Sequence, residues 1–188
     1  MSITSSRGVD YSRLKELLSG YQWEQADVET YRVMCDAARK STSSGLSIKD
    51  IQNFPCEDLQ MIDNLWREQS NDRFGFSVQK EIFDEESKDP DAFFRRIGWY
   101  RNGIWIAYSD LTWLEGKAPK GHLPVGGRGG LFSNIGDVYG GDGLLGYLRT
   151  SYSIADSAVK DLFNTGGFDR FFERLKTDIS FRNGFAMC

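Results

Sequence analysis

EQADVETYRVMCDAARK, residues 24–40, carries Ala26, Thr30, Val33, Met34, Ala37 and Ala38 three and four positions apart. That spacing follows the 3.6-residue period of a helix, not the alternation of a strand. Glu24, Asp27 and Glu29 load its start with negative charge, which suits the positive end of a helix dipole. A helix over about 24–40 is therefore predicted, and its neighbours repeat the pattern. Upstream, Tyr11, Leu14, Leu17, Leu18 and Tyr21 share one side of a shorter helix that Asp10 caps and Gly20 ends. Downstream, Ser47–Ile51 reads as a short helix and Pro55 punctuates the loop after it. Glu57–Gln69 turns Leu59, Ile62, Leu65 and Trp66 inward. After the polar break SNDR, 70–73, a helix over about 75–87 carries Phe76, Val78, Ile82 and Phe83. Asp89-Pro90-Asp91 starts another, with Pro in the first turn, that runs to near Gly98. The fold class is all-α.

Beyond Trp99 the helical pattern weakens. Arg101-Asn102-Gly103 reads as a turn between short extended pieces. Eleven glycines then fall within residues 116–146, too many for a regular helix because each adds backbone entropy to be lost. This is a long glycine-rich loop, and residues 144–148, 154–163 and 168–179 look helical again. The expected organisation is a disordered lead at 1–9 and a helical domain at 10–135. Residues 136–188 are then loop and C-terminal helices, either closing the domain or appended to it.

The 188 residues, 40% hydrophobic and 27% charged, suit one soluble globular domain. No apolar run approaches the roughly 18 residues of a membrane span, and MSITSSRGVDYSRLKELL lacks the apolar run of a secretory signal. Cysteines at 35, 56 and 188 are odd in number and widely spaced, which reads as reduced thiols in a cytosol-like compartment. A net charge of −4 argues against duplex nucleic acid as a partner. His122 is the one histidine. Zinc sites need several His or Cys ligands and a His-centred triad would have to use this residue, so neither a metal site nor catalytic residues are expected. Glu81, Asp84, Glu85 and Glu86 read as a solvated helix face, and Glu57-Asp58 as serving a helix N-terminus.

Phe93 to Arg128 stands apart. It holds seven rings (Phe93, Phe94, Trp99, Tyr100, Trp105, Tyr108, Trp113) and six bases (Arg95, Arg96, Arg101, Lys117, Lys120, Arg128). Only Asp110 and Glu115 oppose the bases, so the stretch carries +4 and everything else −8. Any single ring can be core packing. Rings together with clustered arginine suit a large planar anion, since guanidinium clamps carboxylates with paired hydrogen bonds. Within it, His122 can ligate a metal or bond the backbone, the second being commoner. GGRGG, 126–130, lacks the spacing of a phosphate loop and reads better as a lid.

Several short words occur in order. They are Trp23-x-x-Ala26-Asp27-x-Glu29-Thr30, Phe54-Pro55-Cys56-Glu57-Asp58-Leu59, Ile62-Asp63-x-Leu65-Trp66 and Arg73-Phe74-Gly75-Phe76-Ser77-Val78-Gln79. Ile97-Gly98-Trp99, Leu111-Thr112-Trp113 and Ala118-Pro119-x-Gly121-His122-Leu123-Pro124 follow. Over about residues 10–135 the chain resembles the genomes-uncoupled-four domain family, the tetrapyrrole-binding regulators of magnesium chelatase. The resemblance implies an all-helical fold shaped like a cupped hand. It implies protoporphyrin IX or Mg-protoporphyrin IX in the palm, with a bilin in some members. It also implies stimulation of magnesium chelatase, through its large porphyrin-binding subunit, in chlorophyll biosynthesis. The family is not catalytic. A monomer is expected, in cyanobacterial cytoplasm or, after loss of a transit peptide, plastid stroma. Peripheral membrane association stays open, with no amphipathic basic helix demanding it.

A porphyrin is a flat apolar disc with two propionates. Trp99, Trp105, Trp113, Leu123 and Phe132 are the expected walls, and Arg95, Arg96, Arg101 and Arg128 the expected propionate partners. His122 is a candidate axial ligand to magnesium, with water as the alternative. The stretch after about residue 135 does not match the family pattern, which leaves a second reading, a bilin or other tetrapyrrole sensor uncoupled from chelatase. An enzyme acting on the pigment comes third.

Overall fold

The computed structural model describes residues 3–46, 50, 53–102, 104–106 and 108–126. Among them the element order is α1 (Ser12–Ser19), α2 (Trp23–Ala37), α3 (Cys56–Gln69), α4 (Phe76–Glu85) and α5 (Pro90–Arg96). A hairpin of β1 (Tyr100–Arg101) and β2 (Ile104–Trp105) and a 3-10 turn at Tyr108–Asp110 complete it. The all-α reading holds, with the extended pieces reduced to two residues each. Asp50 is helical within the predicted Ser47–Ile51 segment, whose other residues lie outside the described ones. So do residues 127–188, with the predicted C-terminal helices and most of the glycine-rich stretch.

These five described helices end in one way. The second residue past the last turn adopts positive φ: Tyr21 at 55°, Arg39 at 56°, Asn71 at 51°, Ser87 at 56° and Gly98 at 78°. The amide after each reaches back to a carbonyl five residues earlier, as Lys40 N–H does to Cys35 at 2.9 Å and Trp99 N–H to Phe94 at 2.9 Å. This six-to-one bond satisfies an otherwise orphaned carbonyl. Only α5 uses glycine there, so the predicted stops at Lys40 and residue 87 run long, and Gly20 itself sits at φ −87°. Exposed Arg39 bears a left-handed strain that glycine would not. Arg39→Gly is therefore expected to raise unfolding free energy by about 0.5–1 kcal/mol in urea denaturation.

The core runs between α1, α2 and α3. Trp23 stacks on Trp66 with centroids 5.9 Å apart, and Phe74 meets Trp23 edge-on at 5.4 Å. Trp66 is buried, so its indole N–H needs an acceptor. It donates to Thr30 Oγ1 at 2.9 Å, and that hydroxyl donates to Ala26 O at 2.8 Å. The lead expected to be disordered is packed over residues 3–9. Thr4 and Asp10 form an antiparallel bridge, Tyr11 N–H donates to Ile3 O at 2.8 Å, and Val9 is buried. Glu57 and Asp58 hold this lead: Glu57 accepts from the amide and hydroxyl of Ser6, and buried Asp58 accepts from Tyr11 Oη at 2.7 Å. Cys35 is a free buried thiol.

Gly75 precedes α4 at φ 137° and offers no capping side chain. Asp63 of α3 supplies one, its Oδ1 accepting from Ser77 N–H at 2.8 Å. The acidic face of α4 is an ion-pair surface. Arg96 bonds Glu85 at 2.5 Å and Glu86 at 2.6 Å, Lys80 pairs with Asp84, and Lys120 lies 3.6 Å from Glu81. In the hairpin, Tyr100 faces Trp105 and Arg101 faces Ile104. Asn102 has φ 53°, as a two-residue hairpin turn requires.

Candidate functional site

Residues 118–126 form a strap nailed across the helices. Gly121 N–H donates to Arg73 O at 2.9 Å, Gly75 N–H to Leu123 O at 3.0 Å, and the Arg73 guanidinium to Ala118 O. The Gln79 amide donates to Gly121 O at 3.0 Å and Pro124 O at 2.9 Å. Trp99 Nε1–H reaches His122 O at 2.8 Å. At the far end, Asp27 Oδ1 accepts from Val125 N–H at 2.6 Å and Gly126 N–H at 2.8 Å, and Oδ2 accepts from Tyr108 Oη at 2.9 Å. A buried strand of irregular backbone survives only when its polar groups find such partners. Asp27, Gln79 and Gly121, each in one of the ordered short words, are fastenings of this strap.

The expected site residues divide. Trp99, 4% exposed, stacks on Phe94 at 5.9 Å, and Leu123 is 0% exposed. Both are floor beneath the surface and not open wall. Trp113 is half-buried, its ring 5.1 Å from that of Tyr108 and tilted by 56°. Trp105 is placed by its backbone opposite Tyr100. Arg95 and Arg101 are exposed and take no carboxylate among the described residues, whereas Arg96 is already committed to Glu85 and Glu86. Arg128 and Phe132 lie outside the described residues. Tyr100, Ile106 and Trp113 pack on the core with part of their surface open, and Leu114 beside them is 61% exposed. This half-open apolar set with two uncommitted arginines is the candidate site.

His122 takes the backbone role. Its Nδ1 lies 2.6 Å from Ile97 O, and Nε2 lies 3.3 Å from the Thr112 amide. A carbonyl only accepts, so Nδ1 carries the proton; an amide only donates, so Nε2 must keep its lone pair. The ring is therefore neutral, with both nitrogens spent, and no longer a candidate axial ligand. Burial pushes its pKa down; the Ile97 bond opposes this, and the nearby Arg101 charge adds to the lowering. An unfolded histidine titrates near 6.5. Below that pH the unfolded chain takes up a proton that the folded chain resists, so stability is full above 6.5 and falls as pH drops through the depressed folded value. Between pH 7 and 5, His122→Gln is expected to lose less stability than the unaltered chain. Asp63, pushed up by burial, has the opposite sign but cancels in this difference.

Asp27 and Tyr108 were missed as a pair. Asp27 reads as a dipole charge, yet it adjoins Ala26 and precedes Thr30 by three on the inward side. A carboxylate there must find donors. Elsewhere, a cavity of about 480 Å³ lies between Arg7, Ala37, Lys40, Asp50 and Asn53. Lys40 there lies 3.3 Å from Asp50, and Arg7 lies 3.9 Å from Asp58 behind the lining. No cluster of three metal-ligating side chains occurs among the described residues, and no described helix is long and apolar enough to cross a membrane.

The GUN4-like family pattern matches residues 4–131. The chain is 34% identical over 126 residues to a Ycf53-like protein of a Synechocystis strain, covering 65% of this chain and 54% of that protein. It is 32% identical over 123 residues to the chloroplastic tetrapyrrole-binding protein of Arabidopsis thaliana, covering 60% and 46%. It thus spans about half the length of these curated relatives. The solved structure of GUN4 from Chlamydomonas reinhardtii superposes with a TM-score of 0.60 at 30% identity, covering 66% of this chain and 85% of that one.

Proposed function

The chain belongs to the GUN4-like family, and from that premise we propose that it binds a porphyrin and regulates magnesium chelatase in chlorophyll biosynthesis. The ligand would be protoporphyrin IX or its magnesium form, and the partner the large porphyrin-binding subunit of chelatase. The name of the Arabidopsis relative supports the ligand class. One observation carries the reading to this chain: half-open Tyr100, Ile106 and Trp113 lie in the same stretch as Arg95 and Arg101, two exposed cations without carboxylate partners. The apolar side chains suit the disc and the guanidiniums its propionates. His122, with both ring nitrogens engaged, would not be the residue that holds the metal of a bound magnesium porphyrin. The role is non-catalytic: a bound pigment shifts the conformational equilibrium of the partner by differential affinity. The proposed location is cyanobacterial cytoplasm or plastid stroma, a reading that the Synechocystis and chloroplastic relatives support.

Titration with protoporphyrin IX and its dimethyl ester tests the polar contacts. Arg95→Ala and Arg101→Ala are each expected to weaken the free acid about five- to tenfold and the ester hardly at all, as loss of one charge-assisted contact would. Arg96→Ala should change neither. Equal losses for acid and ester would remove the propionate role. In the same assay, tighter binding of a bilin without stimulation of reconstituted chelatase would favour the uncoupled sensor, and turnover of the pigment an enzyme.

A further inference from the structure

We propose that Asp27 is a positioning residue for the pigment face, setting the orientation of Trp113 through Tyr108. The inference rests on the tetrapyrrole reading and adds to it a residue that touches no ligand. Three tryptophans show the difference. Trp66 and Trp99 are fixed by their indole N–H groups, bonded to Thr30 Oγ1 and His122 O. Trp113 is half-buried, and its indole makes no hydrogen bond among the described residues. It packs on the core, and the ring it meets there is that of Tyr108, with centroids 5.1 Å apart.

Tyr108 is itself 6% exposed, and its hydroxyl is aimed at Asp27 Oδ2 at 2.9 Å. Asp27 cannot swing, because its other oxygen accepts two backbone amides, from Val125 and Gly126. One wholly buried carboxylate thus locks α2, the turn bearing Tyr108 and the end of the strap in a single geometry. Bonds to an ionised acceptor are short, directional and about twice as strong as neutral ones. Such support for a binding side chain whose own polar group is unspent is what preorganises a site. The free indole N–H of Trp113 is then left for the ligand or for water.

Tyr108→Phe is the test, because it keeps the ring and deletes the hydroxyl that bonds Asp27. Its control is Trp66→Phe, which removes a buried hydrogen bond, and part of a buried ring, elsewhere in the core. Tyr108→Phe should lower Tm by a few degrees, as loss of one buried hydrogen bond does, and Trp66→Phe by more, because it also shrinks a wholly buried ring. Tyr108→Phe should also raise the Kd for protoporphyrin IX about fivefold or more and alter the near-ultraviolet dichroism of Trp113, a change absent in a Trp113→Phe background. Trp66→Phe should leave Kd within about twofold. Asp27→Asn combined with Tyr108→Phe should weaken binding no more than the stronger single change, since the two act on one link. An unchanged Kd in Tyr108→Phe, equal Kd losses in Tyr108→Phe and Trp66→Phe, or additive losses in the double variant would overturn the positioning role. Absence of saturable binding by the unaltered chain would instead sink the tetrapyrrole reading and this inference with it.

Discussion

Asp27→Ala is expected to lower the free energy of unfolding by about 3–5 kcal/mol, a large part of the roughly 5–15 kcal/mol that a domain has. The side chain is 0% exposed and, among the described residues, accepts hydrogen bonds from Val125 N–H, Gly126 N–H and Tyr108 Oη. Alanine leaves all three donors buried, and each unsatisfied group costs about 1–3 kcal/mol. Relief from burying a carboxylate offsets part of that sum. Asp27→Asn is the discriminating companion. Its carbonyl oxygen can still accept both amides, and the Tyr108 hydroxyl can turn to accept from the new NH2. Only the charge is lost, and the expected cost is about 1 kcal/mol. Urea denaturation of both variants checks this. A loss below about 1 kcal/mol for alanine, or equal losses for alanine and asparagine, would contradict the strap's anchoring at Asp27.

Gly121→Ala is expected to cost about 3 kcal/mol from two separable sources. Gly121 sits at φ +76°, where a Cβ is strained by about 1–2 kcal/mol. That Cβ would also lie 2.6 Å from Ile82 Cδ1 and 3.2 Å from Ile97 Cγ2. Ile82 is 2% exposed and has little room to turn aside, and overpacking of this kind costs about 1–3 kcal/mol. Ile82→Val removes the clashing methyl, so the pair should be strongly non-additive, leaving the backbone strain and the small cost of the deleted methyl. Gly116→Ala, with nothing within 4 Å of the added Cβ, should stay within about 0.5 kcal/mol of the unaltered chain. Additivity of Gly121→Ala with Ile82→Val would place the cost outside that contact.

The helices were legible because their apolar faces repeat locally. Leu14, Leu17 and Leu18, or Leu59, Ile62, Leu65 and Trp66, are buried as their spacing predicts. Their ends were not, because Arg39 and Ser87 adopt a left-handed conformation that nothing in their chemistry advertises. Nor was the order of the lead, which depends on Glu57 and Asp58 some fifty positions away. The Phe93–Arg128 stretch was legible as unusual but not as an orientation. Clustered rings do not say which face inward, and Trp99 and Leu123 proved to be floor. For His122 the sequence left two roles open. The distances to Ile97 and Thr112 settle on the backbone role because one nitrogen must donate and the other accept.

The central claim is that this chain holds a tetrapyrrole. Five tryptophans make it measurable directly: protoporphyrin IX is titrated into the protein while tryptophan emission and the pigment's main absorption band are followed together. Saturable quenching with a coincident shift of the band, both diminished by Trp113→Phe, is the result expected. Linear, non-saturating quenching with an unshifted band, for protoporphyrin IX, its magnesium form and a bilin alike, would contradict the account.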